Sequence, residues 1–163
     1  MYTPAEMKAA RLPHELFLFN MVGNHILLNV IVLSNINVKP MLGLIVPVIS
    51  LLIISFLLLK GPAHLRSDSL FVRYHWHLVI KRTRIFLIGY VLLAIAFLLA
   101  WFMYAYVGAM KELVIAVLAG LGLLPVMALV IVLTVMDSES LSQAIHGREP
   151  TKVPEKLLQG TAR

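Results

Sequence analysis

Four long blocks of the sequence carry no charged side chain, and this feature restricts the possible folds most. No Asp, Glu, Lys or Arg occurs in residues 16–38, 40–59, 85–110 or 113–136. A helix rises about 1.5 Å per residue, so roughly 20 apolar residues cross a hydrocarbon core of about 30 Å. The uncharged blocks therefore predict helices that span a membrane.

The composition supports this interpretation, because 60% of the 163 residues are hydrophobic and only 13% are charged. A soluble domain has about twice that share of charged residues. The blocks lack the alternating pattern of a β-barrel, so helices are the remaining way to satisfy the backbone within lipid. We predict an all-α integral membrane protein with four transmembrane helices as two antiparallel hairpins: spans at about 16–34, 41–59, 85–107 and 113–136, an N-terminal segment 1–15, a loop 60–84 and a C-terminal tail 137–163.

Positive charges are distributed unevenly between the two sides of these predicted spans. Of the 14 Lys and Arg residues, only Lys39 and Lys111 lie on the side opposite the termini. Cytoplasmic loops of membrane proteins are enriched in Lys and Arg. The sequence therefore predicts cytoplasmic N- and C-termini, and we expect the bacterial inner membrane as the location.

Both ends of the chain carry signals for short helices outside the membrane. Thr3 and Glu6 form a predicted capping box, and Pro13 is expected to end that first helix at the membrane surface. At the other end, Asp137 or Ser138 is expected to cap a short helix that Gly147 ends. We expect the remainder of the tail to be mobile.

Small residues and prolines predict where the spans touch and bend. The small residues that share a helix side are Gly43 and Ser50 in the second span, Gly89, Ala96 and Ala100 in the third, and Ala116 and Gly120 in the fourth. Small side chains allow two helix backbones to approach closely, so these positions predict contacts. Pro47 and Pro125 predict a bend in the second and fourth spans.

The first span is the only one interrupted by several polar side chains, and these are Asn20, Asn24, His25 and Asn29. Polar groups within lipid need hydrogen-bond partners. We expect these four residues to make intramembrane contacts with neighbouring helices. Alternatively, the three Asn side chains line a hydrated path in a homo-oligomer.

The segment before the third span combines positive charge with helical spacing. Arg73, His77, Lys81 and Arg84 are separated by four, four and three residues, which places them on one side of a helix extending into the cytoplasm. We call these four residues the basic stripe. Its expected partners are anionic lipid head groups or an acidic protein surface, and no nucleic acid is expected because no nucleic-acid-binding motif is present.

His75, Trp76 and His77 resemble a metal-binding run, but side chains two residues apart on a helix point to different sides. The chain has no Cys. A bis-histidine haem would need His14, His64 or a second subunit to partner His25. We therefore expect no metal site and no cofactor, and we interpret His75 and His77 as interfacial.

Catalytic chemistry is not evident in the sequence, since the spans hold no carboxylate pair and no nucleophile with a base. We expect a noncatalytic integral subunit or assembly factor of a larger inner-membrane complex, of the secretion or respiratory type. One alternative is a homo-oligomeric channel or carrier. A second alternative is a haem- or quinone-binding electron-transfer subunit.

Overall fold

The chain folds into four helices that are each long and apolar enough to cross a membrane. A computed structural model describes residues 2–35, 38–67, 69–148, 154 and 157, and none of these lies in a strand. The helices are α1 Pro4–Asn35, α2 Met41–His64, α3 Leu70–Val107 and α4 Lys111–His146. The prediction of an all-helical, multi-pass membrane protein is confirmed at this level.

Helix α1 begins as the sequence predicts and ends much later. The Thr3 hydroxyl accepts the Glu6 backbone N–H, and the Glu6 carboxylate accepts the Thr3 N–H, which completes the capping box. The helix then continues through Pro13 and changes to π-helical turns at Phe19–Leu28. The prediction that Pro13 ends a separate surface helix was therefore wrong.

Helix α2 starts with a 3-10 turn at Pro40–Leu44 and becomes α-helical from Ile45 to His64. Pro47 consequently lies in the first α-helical turn. A proline is tolerated better in the first turn of an α-helix than in its interior. Pro47 thus lies near the start of the helix and not in the middle of the span.

Helix α3 is α-helical from Leu70 to Phe102 and ends in a π-helical turn at Met103–Val107. Gly108 follows with a φ of 69°, a left-handed conformation that favours glycine. The first turn lies fifteen residues before the predicted span at Ile85. Just before this first turn, the Ser67 hydroxyl accepts the Ser69 N–H at 3.4 Å.

Helix α4 changes type just before Pro125. Its π-helical turns span Leu118–Leu123, and α-helix follows from Leu124 to His146. The predicted irregularity is thus a widened turn beside the proline ring. We expected Asp137 or Ser138 to cap a separate helix, but both residues lie inside this continuous helix. Gly147 ends it with a φ of 58°, and most of the tail beyond Arg148 lies outside the described residues.

The fold comprises two compact units, and the first contains residues 1–83 and 133–163. Its largest buried side chains include Trp76, Phe17 and Leu57. Tyr2, near the N-terminus, stacks on Phe71 with ring centroids 4.1 Å apart. All the buried polar groups described below belong to this unit.

The second unit contains residues 84–132, and small residues mediate its helix contacts. A side-chain atom added at Gly122 would lie 3.0 Å from both the Ala96 Cβ and Leu93. A side-chain atom added at Gly120 would have no described atom within 4 Å, and Ala116 is exposed. The predicted contact at Ala116 and Gly120 is therefore not made within the described chain, and Gly122 makes it instead.

Candidate functional site

The most unusual feature of the first unit is a group of polar side chains enclosed between helices. His14 of α1, His75 and Arg82 of α3, and Asp137 and Ser140 of α4 are each less than a tenth exposed. We call these five residues the polar cluster. Burying so many polar groups is unfavourable unless they bond to one another, so their partners determine what the site can do.

Asp137 is the centre of the polar cluster. Its Oδ1 atom accepts a hydrogen bond from Arg82 Nη1 at 2.5 Å and lies 2.9 Å from His14 Nδ1. Arg82 Nη2 donates to the Ser140 hydroxyl at 2.9 Å. Removing one partner of a buried ion pair leaves an uncompensated charge, so Arg82 and Asp137 hold α3 and α4 together as a mutually dependent pair.

His14 connects this ion pair to a second imidazole. Its Nε2 atom lies 2.9 Å from His75 Nδ1, and the two rings meet edge to face at 84°. Because the ionised carboxylate of Asp137 can only accept, the Nδ1 atom of His14 carries a proton and donates it. The rings of Phe71 and Tyr74 enclose His75.

This arrangement is a hydrogen-bonded line and not a set of converging metal ligands. The facing nitrogens of His14 and His75 are bonded to each other, which leaves no space for an ion between them. Among residues 2–35, 38–67 and 69–148, no group of three His, Cys, Asp or Glu side chains is placed to hold a metal. The side chain of His75, which we interpreted as interfacial, is completely buried between the helices of this unit.

Pro13 explains how α1 is attached beside the polar cluster. A proline has no N–H, so the carbonyl of Ala9, four residues earlier, lacks its usual helical donor. The indole Nε1 of Trp76 donates to this carbonyl at 3.0 Å. Trp76 also stacks on His64 of α2 with ring centroids 4.1 Å apart. The proline therefore creates an acceptor that fixes α1 to α3.

A second polar group lies within the predicted first span. Asn20 donates to the Ser50 hydroxyl at 3.1 Å, and Asn24 donates to the Val46 carbonyl at 2.9 Å, so both residues bond to α2. His25 Nδ1 lies 2.7 Å from the carbonyl of Asn20 in its own helix, and Asn29 is half-buried. Asn20 and Asn24 therefore bond to a neighbouring helix of the same chain.

The basic stripe does not form one continuous exposed surface. Lys81 and Arg84 are exposed, His77 is half-buried and Arg73 is only 4% exposed. The Nε and Nη2 atoms of Arg73 are buried without a hydrogen-bond partner among the described residues. The stripe thus divides into an exposed end that ligands can reach and a buried end.

A cavity of about 200 Å³ adjoins the polar cluster at its Arg82 end. Its lining residues come from α3 and α4, and they are Tyr74, Leu78, Arg82, Met136, Glu139, Ser140 and Gln143. Two members of the polar cluster, Arg82 and Ser140, therefore line this cavity. The cavity is mixed in character, with apolar, hydroxyl and charged groups.

Sequence reasoning missed His14, Arg82 and Asp137 as site residues. All three lie next to predicted spans, just before the first, just before the third and just after the fourth. Ionisable residues at the same end of several spans are candidates for meeting one another, and this signal was present. Asp137 is also the first acidic residue after the fourth span, and the segments on the same side of the predicted spans carry an excess of Lys and Arg.

The chain matches no protein-family model, no curated protein and no solved structure. Its function can therefore be inferred only from its own residues and their geometry.

Proposed function

We propose that this protein is a noncatalytic integral subunit of a larger inner-membrane complex, of the secretion or respiratory type. Its four spans form two antiparallel hairpins, and its termini and the start of α3 lie in the cytoplasm. The observation that carries the proposal is that polar and apolar side chains lie on different surfaces of the helices. Polar groups are used to join its own helices, whereas the outer faces of the spans are apolar and uncovered.

The uncovered area is large. Only 17–28% of the most apolar window of each helix is buried within the chain. Exposed side chains in α4 include Leu124, Ile131 and Val135. Such surfaces face either lipid or the helices of a partner, so the chain has the area that a subunit needs.

The exposed pair of small residues on α4 favours a partner helix. Ala116 and Gly120 have the four-residue spacing at which helices approach closely in membranes, yet neither is covered by the described residues of this chain. A small residue that faces lipid gains little from being small. We therefore place the partner contact on this side of α4.

The topology has support of a different kind. His14, Arg82 and Asp137 come from the three segments that the positive-inside rule assigns to one side, and these residues bond to one another. Lys81 and Arg84 are exposed at the start of the third span. We propose that these two cations contact anionic lipid head groups and anchor the subunit.

The test is recovery of the partner from native membranes with a tagged full-length chain. Purification in mild detergent should give a constant molar ratio of one partner protein. Ala116→Leu should reduce that ratio at least about tenfold, because each 1.4 kcal/mol of lost contact energy changes an equilibrium tenfold. The matched control is Ala94→Leu, since Ala94 is an exposed alanine in the α3 span.

Two results would contradict the proposal. The first is a monodisperse monomer recovered from native membranes without a stoichiometric partner. The second is an equal loss of partner in both variants, which would show that the effect does not depend on this side of α4. Melting of each purified variant, followed by circular dichroism, distinguishes loss of the partner from loss of the fold.

A further inference from the structure

The polar cluster contains an unbroken line of hydrogen bonds through two imidazole rings. Asp137 Oδ1 is 2.9 Å from His14 Nδ1, and His14 Nε2 is 2.9 Å from His75 Nδ1. Both ends of the line are buried. His75 Nε2 and Asp137 Oδ2 have no hydrogen-bond partner among the described residues.

The distribution of protons along this line follows from its geometry. When both rings are neutral, His14 donates from Nδ1 to Asp137 and accepts at Nε2 from the Nδ1 proton of His75. His75 Nε2 is then a bare nitrogen. The ionised Asp137 and Arg82 cancel, so the neutral polar cluster carries no net charge.

We propose that Asp137, His14 and His75 form a proton-relay site that binds one proton per chain. When the helices part enough for water to reach the buried Nε2 of His75, a hydronium ion donates a proton to this nitrogen and leaves as water. The N–H bond at Nδ1 of His75 breaks as that proton passes to Nε2 of His14, where a new N–H bond forms. His14 becomes an imidazolium beside the Asp137 carboxylate, and no electrons are transferred.

The line tolerates this proton because no hydrogen bond is lost. His14 still donates to Asp137, and the bond between the rings only reverses its direction. His75 stays neutral in both states, but its single proton moves from Nδ1 to Nε2. Two histidines that only joined the helices would keep the same tautomers at every pH.

Charged and titratable groups on every neighbouring helix bear on the site. The Asp137 carboxylate of α4 stabilises the His14 imidazolium of α1, whereas Arg82 of α3 opposes it. Glu139 and Tyr74 line the cavity beside Arg82, and Arg73 is buried two residues before His75 on α3. On α2, the titratable side chain of His64 stacks on Trp76, the residue after His75. Asp137 bonds directly to His14, so its attraction is the stronger influence.

The experiment is nitrogen NMR on the full-length chain in lipid nanodiscs with ¹⁵N-labelled histidine side chains, from pH 8 to pH 4. We expect His14 to gain a second proton at the same pH at which the His75 proton moves from Nδ1 to Nε2. Circular dichroism on the same samples reports the fold. A His75 ring that keeps one tautomer throughout, or a chain that unfolds before any change, overturns the proposal.

Two variants test the role of the carboxylate. Asp137→Asn should move the midpoint of the His14 transition to lower pH, because the variant loses the negative charge that favours the imidazolium. The double variant Arg82→Gln with Asp137→Asn leaves neither buried charge unpaired and should shift it in the same direction. An unchanged midpoint in a folded variant overturns the relay.

His146→Asn is the matched control, because His146 is exposed at the end of α4 and bonds to the carbonyl of Ser142 in its own helix. This variant should leave the coupled change of His14 and His75 unaltered. A shift of that change in the control would show that the transition belongs to the whole helix and not to the relay.

Discussion

At the scale of single residues, Pro13 and Trp76 show how one backbone irregularity becomes a tertiary contact. The missing N–H of Pro13 leaves the Ala9 carbonyl without its helical donor, and the Trp76 indole supplies a replacement at 3.0 Å. The contact needs both residues, although they are far apart in sequence. Helix α1 can therefore cross a proline without losing a hydrogen bond.

The first prediction concerns this pair. Trp76→Phe keeps an aromatic ring beside His64 but removes the donor, so the free energy of unfolding should fall by about 1–2 kcal/mol. In a Pro13→Ala background the new N–H of residue 13 can reach the Ala9 carbonyl, and the same substitution should then have a clearly smaller effect. Denaturant titration in detergent measures all four chains of this double-mutant cycle.

Trp101→Phe is the control for the removal of an indole, because Trp101 is 53% exposed. It should change stability by less than about 0.5 kcal/mol. Equal effects of Trp76→Phe with and without Pro13 would show that the indole is important for packing alone.

A second prediction at this scale concerns the Asn residues of the first span. Asn24→Ala removes hydrogen bonds to the Val46 carbonyl and to Asn20, and we expect a loss of about 1 kcal/mol, typical of polar contacts within membranes. Asn29→Ala affects a half-buried side chain and should have a smaller effect. If the Asn29 variant were the less stable of the two, the polar contact with α2 would not be what stabilises this span.

At the scale of helices, hydrophobicity alone was sufficient to locate all four elements. The uncharged blocks coincide with the spans because lipid excludes charges whatever the tertiary fold is. The ends of the helices were less predictable. Proline and aspartate residues often mark helix boundaries, but Pro13 and Asp137 lie inside continuous helices. Trp76 donates to the carbonyl that Pro13 leaves without a donor, and Arg82 donates to the Asp137 carboxylate.

The candidate site was harder to predict than the helices for a similar reason. His14 and Asp137 are separated by 123 residues, and helical periodicity carries no information about which helices are neighbours. The basic stripe was read as one exposed face, but Arg73 is buried because that turn of α3 is covered. Periodicity predicts which residues share a face and not what covers that face.

The third prediction concerns the helix contact at Gly122. Gly122→Val places a branched side chain 3.0 Å from the Ala96 Cβ, and Ala96 has no flexible side chain that can move aside. We expect destabilisation of about 1–3 kcal/mol from overpacking. Gly120→Val changes the same residue type in the same π-helical stretch but meets open space.

Thermal melting of the isolated chain in detergent provides this comparison. The helix propensity of valine affects both variants alike, so the difference between their midpoints isolates the packing effect. A Gly120 variant that melts as low as the Gly122 variant would contradict the assignment of the contact to Gly122.

At the scale of the whole molecule, the orientation in the membrane is the largest feature still inferred from charge counting. The fourth prediction uses the absence of cysteine, because any introduced thiol is then the only label. In intact cells a membrane-impermeant maleimide should label Lys39→Cys and Lys111→Cys. It should label Lys60→Cys and Arg148→Cys only after the cells are opened.

Each of these four positions is exposed in the structure, so differences in labelling report the side of the membrane and not burial. Labelling of Lys60→Cys in intact cells would reverse the proposed topology. It would also place the exposed cations of α3 away from the anionic cytoplasmic leaflet.

The separation of His14 from Asp137 also determines the order of events during synthesis. Ribosomes synthesise a chain from its N-terminus, so the first helix and Arg82 are made before residue 137 exists. Until then Arg82 lacks its counter-charge and α1 lacks its last attachment. A chain truncated before α4 should therefore insert into the membrane but remain incompletely folded, and quality-control proteases can recognise such a chain.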